Sequence, residues 1–99
     1  MQFMVIETFD PAKAPDIYRQ FQERGRGIPE GLSYVDSWVD AGLGRVWQIM
    51  ETDDVALLQE WIAFWAPLVD DFEVVPVTKS ADTLMALRDQ IARAGQPTG

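Results

Sequence analysis

The chain is 99 residues long, carries a formal net charge of −8 and contains neither histidine nor cysteine. Those counts exclude a disulfide framework, a thiolate nucleophile, a cysteinyl metal site and any Ser-His-Asp or Cys-His arrangement within the chain. With only eight Lys and Arg and no basic stripe, neither nucleic acid nor a membrane surface is expected as a partner.

The segment from Met1 to Asp10 has no basic leader and meets an acid at Glu7, unlike a signal peptide. The longest apolar run, 61–69, contains Pro67 and is far short of a membrane span. A soluble, cytoplasmic protein is the expectation. Phe3 to Phe9 is short and rich in strand formers, with apolar residues on both faces, as in a central strand. The stretch 10–15 is a linker, and Pro15 followed by Asp16 suits the first turn of a helix. Ile17, Tyr18 and Phe21 then form a stripe at helical spacing, ended by Gly25. The stretch 25–31 is dense in turn residues.

Leu32 to Val39 and Arg45 to Thr52 read as two strands, joined by a loop with two glycines that suits an antiparallel hairpin. Thr52, Asp53 and Asp54 offer N-caps for a helix to about Ala66, with Leu57, Leu58, Trp61, Ile62 and Trp65 as its buried face. Pro67 stops it. Phe72 to Val77 is a fourth strand, and Pro76, which cannot donate to a ladder, marks it as an edge there or as nearing its end. Ser80 to Ala94 reads as one further helix, capped by Ser80, striped by Leu84, Leu87 and Ile91, and stopped by Gly95. Residues 1–95 are thus expected to form a single α+β barrel domain, with 96–99 as a flexible tail.

The order β-α-β-β-α-β plus a C-terminal helix is the ferredoxin-like arrangement: one four-stranded antiparallel sheet with two helices on one side. Right-handed crossovers place the first and third strands at its centre. The strands are apolar or aromatic on both sides, which leaves a patch of roughly several hundred Å² beyond the helices. A twofold partner laying its own sheet there would cover it, so the expected partner is a second copy in a homodimer.

The element order resembles that of a family of short bacterial proteins described only as a domain of unknown function, and so does the text. The likeness is carried by Met1-Gln-Phe-Met-Val-Ile-Glu-Thr-Phe9, Tyr34-Val-Asp-Ser-Trp-Val39 and Gln48-Ile-Met-Glu-Thr-Asp-Asp54. Glu60-Trp-Ile-Ala-Phe-Trp65 and Phe72-Glu-Val-Val-Pro-Val77 continue it. That family is similar to the dimeric α+β barrel superfamily, which includes cofactor-independent monooxygenases, muconolactone isomerases and haem-degrading enzymes. The resemblance implies the barrel fold and a dimer, and it transfers no catalytic residue. The usual haem-degrading branch needs an axial histidine, which this chain lacks.

Strand alternation puts Tyr34, Asp36 and Trp38 on one face. On a covered face Asp36 would lose solvation and become a usable base, Tyr34 would donate to a substrate oxygen, and Trp38 would offer a planar surface. At a bare edge Asp36 would instead be a charge that blocks edge pairing. A third reading pairs it with Arg45 or a backbone amide. Trp47, Ile49 and Glu51 share one face of the next strand, with Gln48 and Met50 on the other. A one-residue slip of the hairpin exchanges these faces, so either Glu51 or Gln48 is expected beside Asp36.

The candidate catalytic residues are therefore Asp36 and Glu51, and the candidate ligand-binding residues Tyr34, Trp38, Trp47, Gln48 and Trp61. Trp61 and Trp65 form a core stripe that also borders the space between helix and sheet. The stretch 23–27 has the look of a phosphate cradle. It follows a helix C-terminus, so a solvated loop is the better reading. The acid pairs at 53–54 and 70–71 read as helix-end and turn residues, and neither a metal nor a cofactor is expected. Three functions remain open: a cofactor-independent acid/base or oxygenase enzyme acting on a small, partly apolar organic ligand, a non-catalytic sensing dimer, or a structural dimer whose aromatics are core.

Overall fold

The computed structural model describes residues 1–95, and the tail expected at 96–99 lies outside them. The elements in chain order are β1 (Gln2–Thr8), α1 (Ala14–Arg24), β2 (Ser33–Val39), β3 (Arg45–Glu51), α2 (Val55–Trp65), β4 (Asp71–Val77), α3 (Ser80–Ala86) and α4 (Arg88–Ala94). The four strands form one antiparallel sheet in the order β2-β3-β1-β4. This is the ferredoxin-like α+β fold, with β1 and β3 central and the proline-bearing β4 at an edge. Among the described residues, no helix is long and apolar enough to cross a membrane.

Local chemistry sets the boundaries. The Asp10 carboxylate accepts from the Ala12 amide at 2.9 Å and starts a short 3-10 turn, Pro11–Lys13, that leads into α1. Asp54 caps α2, accepting from the Ala56 amide at 3.0 Å. In support, the Thr52 hydroxyl accepts from the Asp54 amide at 3.0 Å and lies 3.0 Å from the Gly31 carbonyl. Such a cap satisfies a helix N–H that would otherwise lack a partner.

The register sorts side chains cleanly. Phe3, Val5 and Glu7 of β1 share a face with Val46, Gln48 and Met50 of β3, and both helices pack on it. Val5, Met50, Leu58 and Trp61 are its least exposed side chains, Trp61 at 2%. The opposite face carries Met4 and Ile6, Trp47 and Ile49, and Val75, all at least partly exposed. No helix lies there among the described residues, so one sheet has one packed face and one bare apolar face.

The C-terminal segment departs from expectation. Two seven-residue helices replace one, with a break at Leu87 (φ −97°, ψ 6°). Ser80 is the first helical residue of α3, and Lys79 holds the cap position without a side-chain bond. Every residue from Ser80 to Gly95 is exposed. An arm with no body surface against it has nothing to enforce a continuous axis, and it leaves the bare sheet face uncovered in cis.

Candidate functional site

A cavity of about 130 Å³ opens between the packed sheet face, α1 and α2. The sheet supplies Glu7, Ser37, Val39, Val46 and Gln48, the first helix Ile17, Tyr18 and Phe21, and the second Trp61 and Trp65. Arg26, from the loop after α1, completes the lining. Of its lining, Tyr18 and Phe21 of α1 and Val39 of β2 are exposed.

Glu7 is its chemically distinctive residue. It follows Phe3 and Val5 on the strand's inward-facing positions, is only 4% exposed, and accepts a hydrogen bond at 2.8 Å from the Gln48 side-chain amide. Burial in this apolar setting pushes its pKa from 4.5 up to about 7, against the weaker lowering effect of the Gln48 bond. A carboxyl so placed exchanges its proton near neutrality, as a general acid or base must. Tyr18 stands close by, its pKa raised first by burial and then by the Glu7 charge, with Arg26 acting in the opposite sense.

The loop that brings Arg26 here is pinned from beneath. The Arg26 carbonyl accepts from the indole N–H of Trp61 at 3.0 Å and of Trp65 at 2.8 Å. Gly27, at φ +68°, lets the backbone approach the Phe64 ring where a Cβ would collide. The Arg26 guanidinium then stacks over the Tyr34 ring at 3.7 Å and near Phe21 at 4.8 Å. The loop is thus no solvated turn, since its arginine is half-buried between aromatic faces.

Tyr34, Asp36 and Trp38 do not share a face. A β-bulge between Tyr34 and Asp36 spends one extra residue, so Tyr34 pairs with Met50 whereas Asp36 pairs with Ile49 and Trp38 with Trp47. Tyr34 consequently falls on the packed side with Ser37, their hydroxyls 2.6 Å apart. Asp36 and Trp38 turn to the bare face, where Asp36 is exposed and accepts from the Ser37 amide at 2.8 Å. Arg45 does not pair with Asp36; its guanidinium lies 5.2 Å from the Trp47 ring. Glu51 is exposed at the end of the bare face opposite Ser33, and neither Glu51 nor Gln48 lies directly across from Asp36.

Of the candidates read from sequence, Gln48 and Trp61 line the cavity, and Tyr34 borders it through Arg26. Asp36, Glu51, Trp38 and Trp47 gather on the other face. Glu7 and Arg26 were not among those candidates. The signal for Glu7 was present, because an acid continues the Phe3, Val5 positions of a strand apolar on both sides. Arg26 gave none, because its placement depends on a loop folding back onto α2.

The chain matches, over residues 1–91, the family described as domain of unknown function (DUF3303). None of the curated proteins matches it. Among solved structures, it is similar to an uncharacterized NIPSNAP domain protein from Burkholderia xenovorans, with 20% identity and a TM-score of 0.58, over 80% of this chain and 94% of that one. It is also similar to a structure described as an antibiotic biosynthesis monooxygenase, with 26% identity and a TM-score of 0.52, over 79% of this chain and 97% of that one.

Proposed function

We propose, from the premise that the chain belongs to the DUF3303 family, that it is a cytoplasmic homodimer whose cavity binds one small, partly apolar organic molecule and moves a proton on it. The observation that carries this reading is a buried Glu7 with a pKa of about 7, held by Gln48 in a space of about 130 Å³. An apolar cavity of roughly 150 Å³ accommodates benzene, so a single ring bearing a hydroxyl or carbonyl is the right scale. Trp61, Ile17 and Val46 would hold the ring, and the Glu7 carboxylate would take a proton from its acidic O–H or activated C–H. Tyr18 and Ser37 are placed to steady an oxygen.

No cofactor is needed for such a transfer. Returning the proton elsewhere on the ligand would be an isomerisation. The likeness to a structure named as a monooxygenase favours a second reading, in which molecular oxygen meets the deprotonated ligand. The homodimer is supported by the uncovered apolar face. On this proposal Asp36, Glu51, Trp38 and Trp47 belong to the contact between subunits, whereas Gln48, Trp61 and Tyr34 belong to the ligand site.

Quenching of tryptophan fluorescence by a panel of hydroxy- and oxo-substituted single-ring compounds tests binding, since Trp61 and Trp65 line the space. A hit whose turnover vanishes in Glu7→Gln while its binding persists is the expected result. Equal turnover in the variant would remove Glu7 from the chemistry, and a panel without any quenching would remove the site.

A further inference from the structure

We propose that the helical arm α3–α4 of one chain docks along the β2 edge of a second copy, so that the two chains clasp each other reciprocally. This rests on the homodimer reading above and specifies how its subunits are held. The arm is built for a surface its own chain does not present. Leu84, at 61%, and Met85, at 64%, stand open to water, and Leu87 and Ile91 are exposed with them. Isolated seven-residue helices are unstable in water, so this arm requires a partner surface. The Cα radius of gyration is 18.0 Å and the long axis 63 Å, against about 13 Å for the radius of a compact 100-residue domain.

The β2 edge is its complement. Val35, Trp38, Val39 and Leu43 are exposed there, and the stretch 32–44 contains Asp36 and Asp40 and not one Lys or Arg. The arm, by contrast, sets Lys79, Arg88 and Arg93 against only Asp82 and Asp89, in a chain whose overall charge is −8. Apolar residues with a basic bias thus face apolar residues with an acidic bias.

Topology favours the trans solution over the cis one. The arm leaves from β4, at the opposite edge from β2, so in its own chain it would have to cross the whole sheet. When two sheets face each other about a twofold axis along the strands, β4 of each lies against β2 of the other. Lengths agree as well: the fourteen helical residues of α3 and α4 rise roughly 21 Å, and a seven-residue strand spans roughly 23 Å. Because β2 also lends Ser37 and Val39 to the cavity, the docked arm stands beside the ligand site of the partner.

The chain has no cysteine of its own, which makes a cross-link unambiguous. Chains carrying Leu84→Cys and Val35→Cys are co-expressed and oxidised mildly, and the double variant is treated in parallel. The expected result is a disulfide joining the two kinds of chain, with the double variant running as a covalent dimer on a non-reducing gel. Closure of the double variant into a cross-linked monomer, or absence of the mixed disulfide, would overturn the arm exchange. Equilibrium sedimentation of the unmodified chain separates the two failures. A dimer mass without the cross-link removes the clasp and leaves the sheet-to-sheet dimer, whereas a monomer mass removes both.

Discussion

The two faces of the one sheet carry similar aromatic residues to opposite ends. On the packed face Trp61 is 2% exposed, its ring against the sheet and its N–H bonded to the Arg26 carbonyl. On the bare face Trp38 is 54% exposed and lies opposite Trp47, with no element among the described residues above them. The covered face carries a polar interior with Glu7 and Gln48 at its centre, where burial raises the Glu7 pKa. The other face, apolar with Asp36, Glu51 and Glu73 exposed among its residues, has the character of a contact surface. On the proposed function, ligand binding and assembly divide between the two sides of a single layer.

The sharpest way to break this comparison is to truncate one tryptophan from each side. Trp61→Ala should cost about 3–5 kcal/mol, through lost burial and the cavity left behind, and the size of that loss relative to the unmodified chain should not vary with protein concentration. Next in size is Glu7→Gln, read by chemical denaturation between pH 4 and 8. With a folded pKa of about 7 against 4.5 unfolded, the native state retains a proton that the unfolded chain releases. The stability from this group is therefore full below about pH 4.5 and is lost as pH rises to 7. The total is about 3 kcal/mol at 1.36 kcal/mol per pKa unit. The variant should show a flat profile across that window, and an unchanged slope would mean that Glu7 titrates normally.

On the bare face, Trp47→Ala should cost only about 1 kcal/mol in dilute solution, because the ring is already half-exposed. Its cost should grow with concentration, and sedimentation should show a weakened dimer. A concentration-independent loss matching that of Trp61 would erase the distinction between the faces. The smallest effect falls outside both: Asp54→Ala removes the cap of α2 and should lower stability by about 1 kcal/mol, measurable as a shift in the urea midpoint at constant slope.

The sequence by itself determined the architecture. Alternation along β1 and β3, helical stripes over α1 and α2, and the Asp54 cap are local signals, each carried by residues a few positions apart. Their order then leaves one antiparallel sheet with β1 and β3 inside. The two-sided greasiness of the strands was legible for the same reason. Tertiary structure alone decided the site. One bulged residue at Val35 separated Tyr34 from Asp36 and Trp38, because side chains alternate with a period of two and a single insertion reverses everything beyond it. Glu7 acquired its proton affinity from layers contributed by α1 and by α2, the latter far away in sequence, and Arg26 was drawn in by indole N–H groups more than thirty positions distant. Desolvation is a property of a surrounding, and a surrounding exists only once the chain has folded.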